Sequence, residues 1–165
     1  MKKTAKPNFL DIIQNQEILM NRALLMAKKA FSCGEVPVGA VIVDSDGKIL
    51  AKAYNKIEKL SCQLGHAEVQ AVQKASRKVG NWRLEGCFLF VTLQPCLMCF
   101  GLISLSRLEG VFYGAKSPLF GFDPEKSAIS VGYKELKIVS GLKERECAGI
   151  LSRFFELARK SGLPN

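Results

Sequence analysis

The 165-residue sequence has no hydrophobic run long enough to cross a membrane. A transmembrane helix needs about 20 consecutive apolar residues. The basic segment 1–8 leads into no continuous apolar stretch of the kind found in secretory signals. We therefore expect a cytoplasmic protein with no membrane partner.

Cysteine pairs suited to a disulfide framework are also lacking. Of the six cysteines, Cys96 and Cys99 belong to one short motif, and Cys87 lies in an apolar run typical of a buried strand. This distribution favours reduced thiols, which agrees with a cytoplasmic compartment.

Acidic residues are scarce relative to basic ones. The chain carries 24 Lys and Arg against 15 Asp and Glu, which gives a formal net charge of +9. Such an excess attracts polyanions, and the phosphates of a nucleic acid are the obvious partner in the cytoplasm. Charge alone is weak evidence, because many small proteins are basic for solubility.

Histidine occurs once, in the motif His66-Ala67-Glu68, and a Pro-Cys-Leu-Met-Cys motif occupies 95–99. Together the two motifs supply one imidazole, two thiols and one carboxylate. Catalytic zinc usually has three protein ligands and an open position for water, and a nearby carboxylate can move protons. We therefore predict that His66, Cys96 and Cys99 bind zinc and that Glu68 is the catalytic acid and base.

A second CxxC or CxxH motif, which would close a four-ligand structural site, is absent from the sequence. A fourth ligand brought in by the fold remains an alternative, because four further cysteines are scattered along the chain: Cys33, Cys62, Cys87 and Cys147. A CxxC motif alone also occurs in thioredoxin-like redox proteins. That alternative leaves the HAE motif unexplained.

The local sequence predicts that both motifs begin helices. Pro95 suits the first turn of a helix, because its missing N–H would have no partner there. Cys96 and Cys99 then share one face near the positive end of the helix dipole, which favours thiolates. A second helix that begins at the HAE motif would direct both His66 and Glu68 towards one metal ion.

These motifs resemble those of the bacterial tRNA-specific adenosine deaminases, within the zinc-dependent cytidine and deoxycytidylate deaminase superfamily. An HxE motif followed by PCxxC is the signature of zinc-dependent nucleobase deaminases. The similarity covers roughly residues 17–160. The segments that carry it are 34–43 (GEVPVGAVIV), 66–68 (HAE), 81–84 (NWRL), 91–99 (VTLQPCLMC), 146–148 (ECA) and 154–155 (FF).

The resemblance implies hydrolytic deamination of adenosine to inosine at the wobble position of a tRNA anticodon loop, with one Zn²⁺ per subunit. It implies that Asn55 hydrogen-bonds the base and that Phe154 and Phe155 lie near the RNA. The implied pocket-lining residues are Val38, Ala67 and Pro95. The implied partners are the tRNA anticodon stem-loop and a second copy of the chain.

The chain departs from the family pattern around both motifs. Gln94 stands where the family has Glu before the Pro-Cys pair, and 117–122 (SPLFGF) replaces a loop rich in Lys, Thr and Gly. The segment 63–65 (QLG) replaces the usual approach to the HAE motif. These differences concern the RNA contacts rather than the metal ligands or Glu68.

Hydrophobic periodicity predicts alternating helices and strands without internal repeats. The order predicts an α/β sandwich with helices on both faces of the sheet, and the resemblance implies a three-layer, cytidine deaminase-like fold with a mixed sheet of about five strands. We expect one deaminase domain, 1–165, whose first 15 residues form a loosely ordered basic segment. The predicted helices are 17–32, 66–79, 96–106 and 143–159, and the predicted strands are 36–43, 48–54, 87–93, 110–114 and 136–140.

The predicted helix 96–106 is apolar nearly all round, which is typical of a helix buried on every side. In a domain of this size a subunit contact would cover its outer face. We therefore predict a homodimer.

Two other functions remain open. A free-base or nucleoside deaminase acting on guanine or cytosine would share the metal chemistry, although the basic charge and the 81–84 segment argue against it. A zinc-stabilised RNA-binding protein without catalysis would need a fourth protein ligand and would have no use for Glu68.

Overall fold

The computed structural model describes residues 9–127 and 136–161. Within these residues the chain forms one five-stranded sheet, six α-helices and a 3₁₀ turn at Gln63–Gly65. The strands are Gly39–Val43 (β1), Ile49–Tyr54 (β2), Phe88–Leu93 (β3), Gly110–Ala115 (β4) and Lys137–Val139 (β5). The helices are Phe9–Gln14 (α1), Gln16–Ser32 (α2), Ile57–Leu60 (α3), Ala67–Val79 (α4), Leu97–Leu105 (α5) and Glu144–Lys160 (α6).

The sheet is mixed, with the strand order β2-β1-β3-β4-β5. Strand β1 runs antiparallel to both β2 and β3, whereas β3, β4 and β5 are parallel neighbours. All five residues of the inner strand β1 are buried, which matches its unbroken apolar sequence. The predicted mixed sheet of about five strands is confirmed.

Helices cover both faces of this sheet. On one face, alternate residues of β1 such as Ala40 and Ile42 pack with α4 and α5. On the other face, Val41 and Val43 pack with α1, α2 and α6. The predicted α/β/α sandwich is therefore confirmed. Across both described ranges, no helix combines the length and apolar character of a bilayer span.

The start of the chain differs from the sequence-based expectation of a loosely ordered segment 1–15. Residues 1–8 lie outside the described residues, but Phe9–Gln14 forms helix α1. Ile12 is only 1% exposed and packs in the same cluster as α2. The packing of Ile12 in the core stabilises this short helix, because helical stability in proteins comes mostly from packing.

The position of Pro95 is a second difference. Helix α5 begins at Leu97 with Cys96 as its N-cap residue, so Pro95 precedes the cap and does not lie in the first turn. The residue after the cap is therefore Leu97, and Cys99 lies in the third helical position. Cys96 and Cys99 nevertheless both lie at the N-terminal end of α5, as predicted.

Strands β1 and β3 are joined by a buried side chain in addition to their ladder. The backbone N–H of Gly39 donates to the Thr92 hydroxyl at 3.1 Å, and Thr92 is fully buried. Gly39 is required here, because a Cβ atom would collide with the backbone of helix α2 at Ala23 and Ala27. The close approach of α2 to strand β1 thus requires a glycine at position 39. The backbone N–H of this glycine takes Thr92 as its hydrogen-bond partner.

We expect Thr92→Val to lower the free energy of unfolding by about 1–3 kcal/mol, because a buried N–H loses its partner without a change in shape. Chemical denaturation measures this loss. Amide hydrogen exchange at Gly39 should accelerate in Thr92→Val but not in Thr92→Ser, which keeps the hydroxyl. Unchanged stability and exchange in Thr92→Val would contradict the prediction.

Candidate metal centre and substrate pocket

Two helices begin at the same end of the sheet and present the ligand side chains. His66 is the N-cap residue of α4, and Cys96 is the N-cap residue of α5. Their donor atoms and that of Cys99 all lie within 4.8 Å of one another. The Nδ1 atom of His66 lies 3.4 Å from the Sγ atom of Cys99 and 3.9 Å from that of Cys96. The structure brings the three predicted ligands together.

A hydrogen bond from outside the cluster orients the imidazole. The Nε2 atom of His66 lies 3.2 Å from the Oε1 atom of Gln63. An amide oxygen can only accept, so with a metal ion on Nδ1 the proton of the neutral imidazole would lie on Nε2, facing Gln63. Such an outer partner fixes both the tautomer and the ring orientation of a metal-binding histidine.

Without a metal ion, the two neighbouring cysteines have opposite pKa shifts: Cys99 keeps its proton and Cys96 loses it. A hydrogen bond from Cys99 lowers the pKa of Cys96 to about 4, so Cys96 is a thiolate at neutral pH. The same hydrogen bond, together with burial, raises the pKa of Cys99 far above its ordinary value. The hydrogen bond to Cys96 also raises the pKa of His66. The cluster therefore concentrates negative charge on sulfur beside the imidazole.

This donor set fits zinc. One imidazole nitrogen and two cysteine sulfurs are ligand types that zinc prefers, and three protein ligands leave a position for water or substrate. Within the described residues no further His, Cys, Asp or Glu joins the cluster. The other four cysteines, Cys33, Cys62, Cys87 and Cys147, are free thiols outside it, so the alternative of a fourth cysteine ligand finds no support there.

Glu68 lies in the first turn of α4, next to the ligands. Its side chain is 4% exposed, and its carboxylate interacts with the Cys99 thiol. Burial raises the pKa of Glu68. A buried carboxyl group beside a metal ligand is placed to exchange protons with whatever occupies the open position.

Asn55 is 4% exposed and follows strand β2. Its backbone N–H donates to the Val38 carbonyl at 2.9 Å, and its side-chain Nδ2 lies 3.5 Å from the Oε2 atom of Glu35. The next residue, Lys56, donates its backbone N–H to the Gly65 carbonyl at 2.9 Å. The Asn55 segment therefore runs directly beside the approach to His66.

Glu35 is the residue that holds this segment in place. It is only 2% exposed, and its two carboxylate oxygens accept the backbone N–H groups of Glu58 and Lys59 at 3.1 and 2.8 Å. The same carboxylate faces the Asn55 amide. Sequence reasoning missed this role, although Glu35 is a lone acidic residue among the apolar and glycine positions of 34–43.

The three predicted pocket-lining residues are buried near the ligands. Val38 and Ala67 belong to the same buried cluster, 9% and 1% exposed, and Pro95 is buried immediately before Cys96. Their position agrees with a pocket wall, and their contact with a base remains a prediction.

The predicted RNA-proximal pair lies on the other face of the sheet. Phe154 packs edge-on against Phe31 of α2, with ring centroids 5.6 Å apart, and against Phe155 at 5.5 Å. Helix α6 belongs to the α1 and α2 side, opposite α4 and α5. Phe154 therefore has packing partners within the chain, and Phe155 is 37% exposed. Contact of this pair with RNA stays a prediction.

Comparison with known proteins identifies related sequences over most of the chain. Residues 13–115 match the model of the cytidine and deoxycytidylate deaminase zinc-binding region. The chain is 42% identical over 147 residues to a Bacillus subtilis (strain 168) protein named tRNA-specific adenosine deaminase, which covers 87% of this chain and 91% of the relative.

Solved structures share the overall fold. One, from a study of A-to-I editing by tRNA:A34 deaminases at the wobble position of transfer RNA, is similar with a TM-score of 0.76 and 36% identity over 81% of this chain and 99% of its own. A guanine deaminase structure from Bacillus subtilis gives a TM-score of 0.60 and 29% identity over 88% of this chain and 94% of its own.

We expect Gln63→Leu to weaken zinc binding by roughly tenfold or more, because His66 loses the partner that fixes its tautomer. Competition with a chromophoric chelator measures the affinity. Gln63→Glu keeps an acceptor and should bind zinc nearly as well as the unmodified chain, as should Gln73→Leu on the exposed side of α4. Equal affinities for all four proteins would refute the role of Gln63.

Proposed function

The chain belongs to the cytidine and deoxycytidylate deaminase zinc-binding family, and we propose that it converts adenosine to inosine at the wobble position of a tRNA anticodon loop. The observation that carries this proposal is the convergence of His66, Cys96 and Cys99 beside the buried carboxylate of Glu68. The choice of RNA over a free base rests on the greater similarity to proteins named for tRNA than to a guanine deaminase.

Zinc is the cofactor that His66, Cys96 and Cys99 would hold, one ion per subunit. When bound, it supplies Lewis-acid chemistry that acidifies a water molecule enough to make it a nucleophile near neutral pH. The protein contributes three ligands and, within the described residues, no fourth one, which leaves a coordination position for water or substrate.

Glu68 moves the protons of the reaction. Its carboxylate accepts a proton from the attacking water, delivers it to a ring nitrogen of adenine and later protonates the departing amine. Attack at C6 replaces the exocyclic amine by oxygen and releases ammonia, so adenosine becomes inosine. The start of α4 packs through Ala67 and Ala71 in the buried cluster on this face of the sheet, which fixes the position of the carboxylate.

Asn55 would hold the base against the pocket wall. Because one side of its amide faces Glu35, the remaining donor and acceptor are free to hydrogen-bond the edge of the purine. Val38, Ala67 and Pro95 supply apolar surface against the ring. A base from a single-stranded loop suits this pocket, because extrusion of an unpaired nucleotide costs little.

Basic residues beside Asn55 favour a substrate with a phosphate backbone. Lys29 and Lys56 lie 5.2 and 4.9 Å from the ring centroid of Tyr54, the residue before Asn55. Burial, together with repulsion from these two lysines, lowers the pKa of Lys74. Positive potential is therefore concentrated next to the pocket, where backbone phosphates of a bound RNA loop would be attracted.

We also infer a cytoplasmic location. All six cysteines are free thiols in the structure, as expected for a reducing compartment. The proposed tRNA substrate is found there as well.

We expect zinc-loaded protein to form inosine in a tRNA anticodon stem-loop, measured by mass spectrometry of the digested nucleosides. Glu68→Gln should keep one zinc per chain and lower turnover by about 10²-fold or more, because proton transfer is lost. Glu58→Gln, a change at an exposed carboxylate, serves as the matched control and should leave turnover unchanged.

The same assay separates the rival functions. Ammonia release from free guanine, cytosine or their nucleosides without inosine in the RNA would identify a small-molecule deaminase. RNA binding without turnover of any substrate, unaffected by Glu68→Gln, would identify a non-catalytic protein.

Helix α5 supports the proposal of a homodimer. It contains no charged residue, yet Leu97, Met98 and Leu105 are 43%, 41% and 68% exposed. A groove beside it is lined by Leu102, Leu105 and the half-exposed Trp82, whose ring is flanked by Arg83 at 4.1 Å and Arg107 at 5.2 Å. A second copy would cover this apolar surface, whose helix also carries Cys99.

We expect the unmodified chain to sediment as a dimer at micromolar concentration and Leu105→Glu to sediment as a monomer, because a buried charge opposes association. Leu10→Glu is the matched control, since Leu10 is equally exposed at 68% but lies in α1 on the opposite side of the sheet. A single-subunit mass for the unmodified chain would refute the dimer.

A further inference from the structure

Gln94 lies between strand β3 and the ligand Cys96, and its side chain holds both ends of one loop. Its Oε1 atom accepts the backbone N–H of Ser117 at 3.2 Å. Its Nε2 atom donates to the carbonyl of Phe122 at 3.1 Å. The segment between these contacts, Ser117–Phe122, is here called the 117–122 loop. One amide group therefore closes the loop by using its acceptor at one end and its donor at the other.

The loop is attached directly to the ligand segment. Gly121 forms an isolated antiparallel bridge with Cys96, and the backbone N–H of Phe122 donates to the Pro95 carbonyl at 2.9 Å. The Phe122 ring packs on Phe100 of α5 with a centroid distance of 5.0 Å. Displacement of the loop would therefore change the surface immediately beside the metal centre.

The packing around the amide leaves little freedom. A Cβ atom at Gly121 would collide with the Gln94 side chain and with the Ser117 carbonyl. The Gly121 N–H donates to that carbonyl at 3.0 Å, which completes a tight turn. The loop, its glycine and the Gln94 amide thus form one closely packed unit.

Glutamine is chemically matched to this unit. Glutamate has almost the same shape, but its ionised carboxylate offers only acceptors. It could still accept the Ser117 N–H, but its second oxygen would face the Phe122 carbonyl, which is also an acceptor. A methionine would fill the space and make neither hydrogen bond.

The tip of the loop exposes two large apolar side chains, Leu119 at 86% and Phe120 at 75%. The neighbouring Lys116 is also exposed. An exposed aromatic ring and a cation beside a pocket are the features with which proteins hold single-stranded RNA, through base stacking and phosphate contact. The occupant that fits this surface is a nucleotide that flanks the target base.

We propose that Gln94 is a positioning residue for substrate binding, whose amide fixes the 117–122 loop so that Phe120 and Lys116 contact the RNA next to the deaminated nucleotide. This proposal rests on the proposed action on RNA. It assigns Gln94 an effect on RNA affinity and none on the chemical step.

Gln94→Met and Gln94→Glu test the assignment with the zinc-loaded protein and a tRNA anticodon stem-loop. We expect KM to rise roughly tenfold in both variants, with kcat within about twofold and zinc content unchanged, because only a binding contact is displaced. Gln73→Glu on the exposed side of α4 makes the same change in net charge and should leave KM unaltered. Phe120→Ala should raise KM in the same way, and its effect should disappear in the Gln94→Met background.

A second measurement does not depend on turnover. Amide hydrogen exchange at Ser117 should accelerate in Gln94→Met, whose side chain cannot accept the hydrogen bond, and should stay protected in Gln73→Glu. If RNA is not deaminated but exchange at Ser117 responds as expected, the proposed function fails while the closure of the loop by Gln94 stands.

Three results would overturn the assignment. Unchanged exchange at Ser117 in Gln94→Met would show that the amide does not hold the loop. Faster exchange with an unchanged KM would show that the loop does not bind substrate. A fall in kcat with KM unchanged would place Gln94 in the chemical step instead.

Discussion

The metal centre depends on the convergence of two helix N-termini at one end of the sheet. His66 and Cys96 are the residues at which α4 and α5 begin, so each ligand is placed by the position of its helix. Helix α4 approaches the sheet closely because its buried face consists largely of small residues, notably Ala67, Ala71 and Ala75. A larger side chain at these positions would move the whole helix and with it the imidazole. Ligand geometry is therefore a consequence of core packing.

The order of helices and strands and the identity of the metal ligands could be predicted from the sequence. The alternation of strands and helices and the pairing of the HAE and PCLMC motifs follow from periodicity and spacing, and both appear in the structure. The contacts that adjust the site were not predictable in this way. Gln94 reaches Phe122 across 28 positions, and Glu35 reaches Lys59 across 24. Such contacts depend on how loops meet in three dimensions, which neither propensity nor spacing encodes.

The apolar sequence of helix α5 predicts burial on every side, with a subunit contact over the outer face. One subunit buries Cys99, Phe100 and Ile103 and leaves Leu105 exposed. An apolar sequence all round a helix indicates that every side of the helix is buried. It does not indicate whether the same chain or a second molecule buries each side. The sheet covers one side of α5. The ligand Cys99 is on this buried side, so the metal centre is formed by the packing of a single subunit.

The buried polar residues fall into two groups, those that support the fold and those placed to take part in the reaction. Glu35, Asn55, Thr92 and Glu68 are all at most 4% exposed, and buried polar groups are costly unless they are hydrogen-bonded. Glu35 and Thr92 accept backbone N–H groups, so each supports the fold. Glu68 accepts its own backbone N–H and also lies against the thiol of Cys99. With both cysteines bound to a metal as thiolates, neither would have a proton to donate to this carboxylate, so Glu68 would take its further hydrogen bonds from water or substrate. Of the two buried carboxylates, Glu35 is committed to backbone N–H groups, and Glu68 is the one placed to transfer protons.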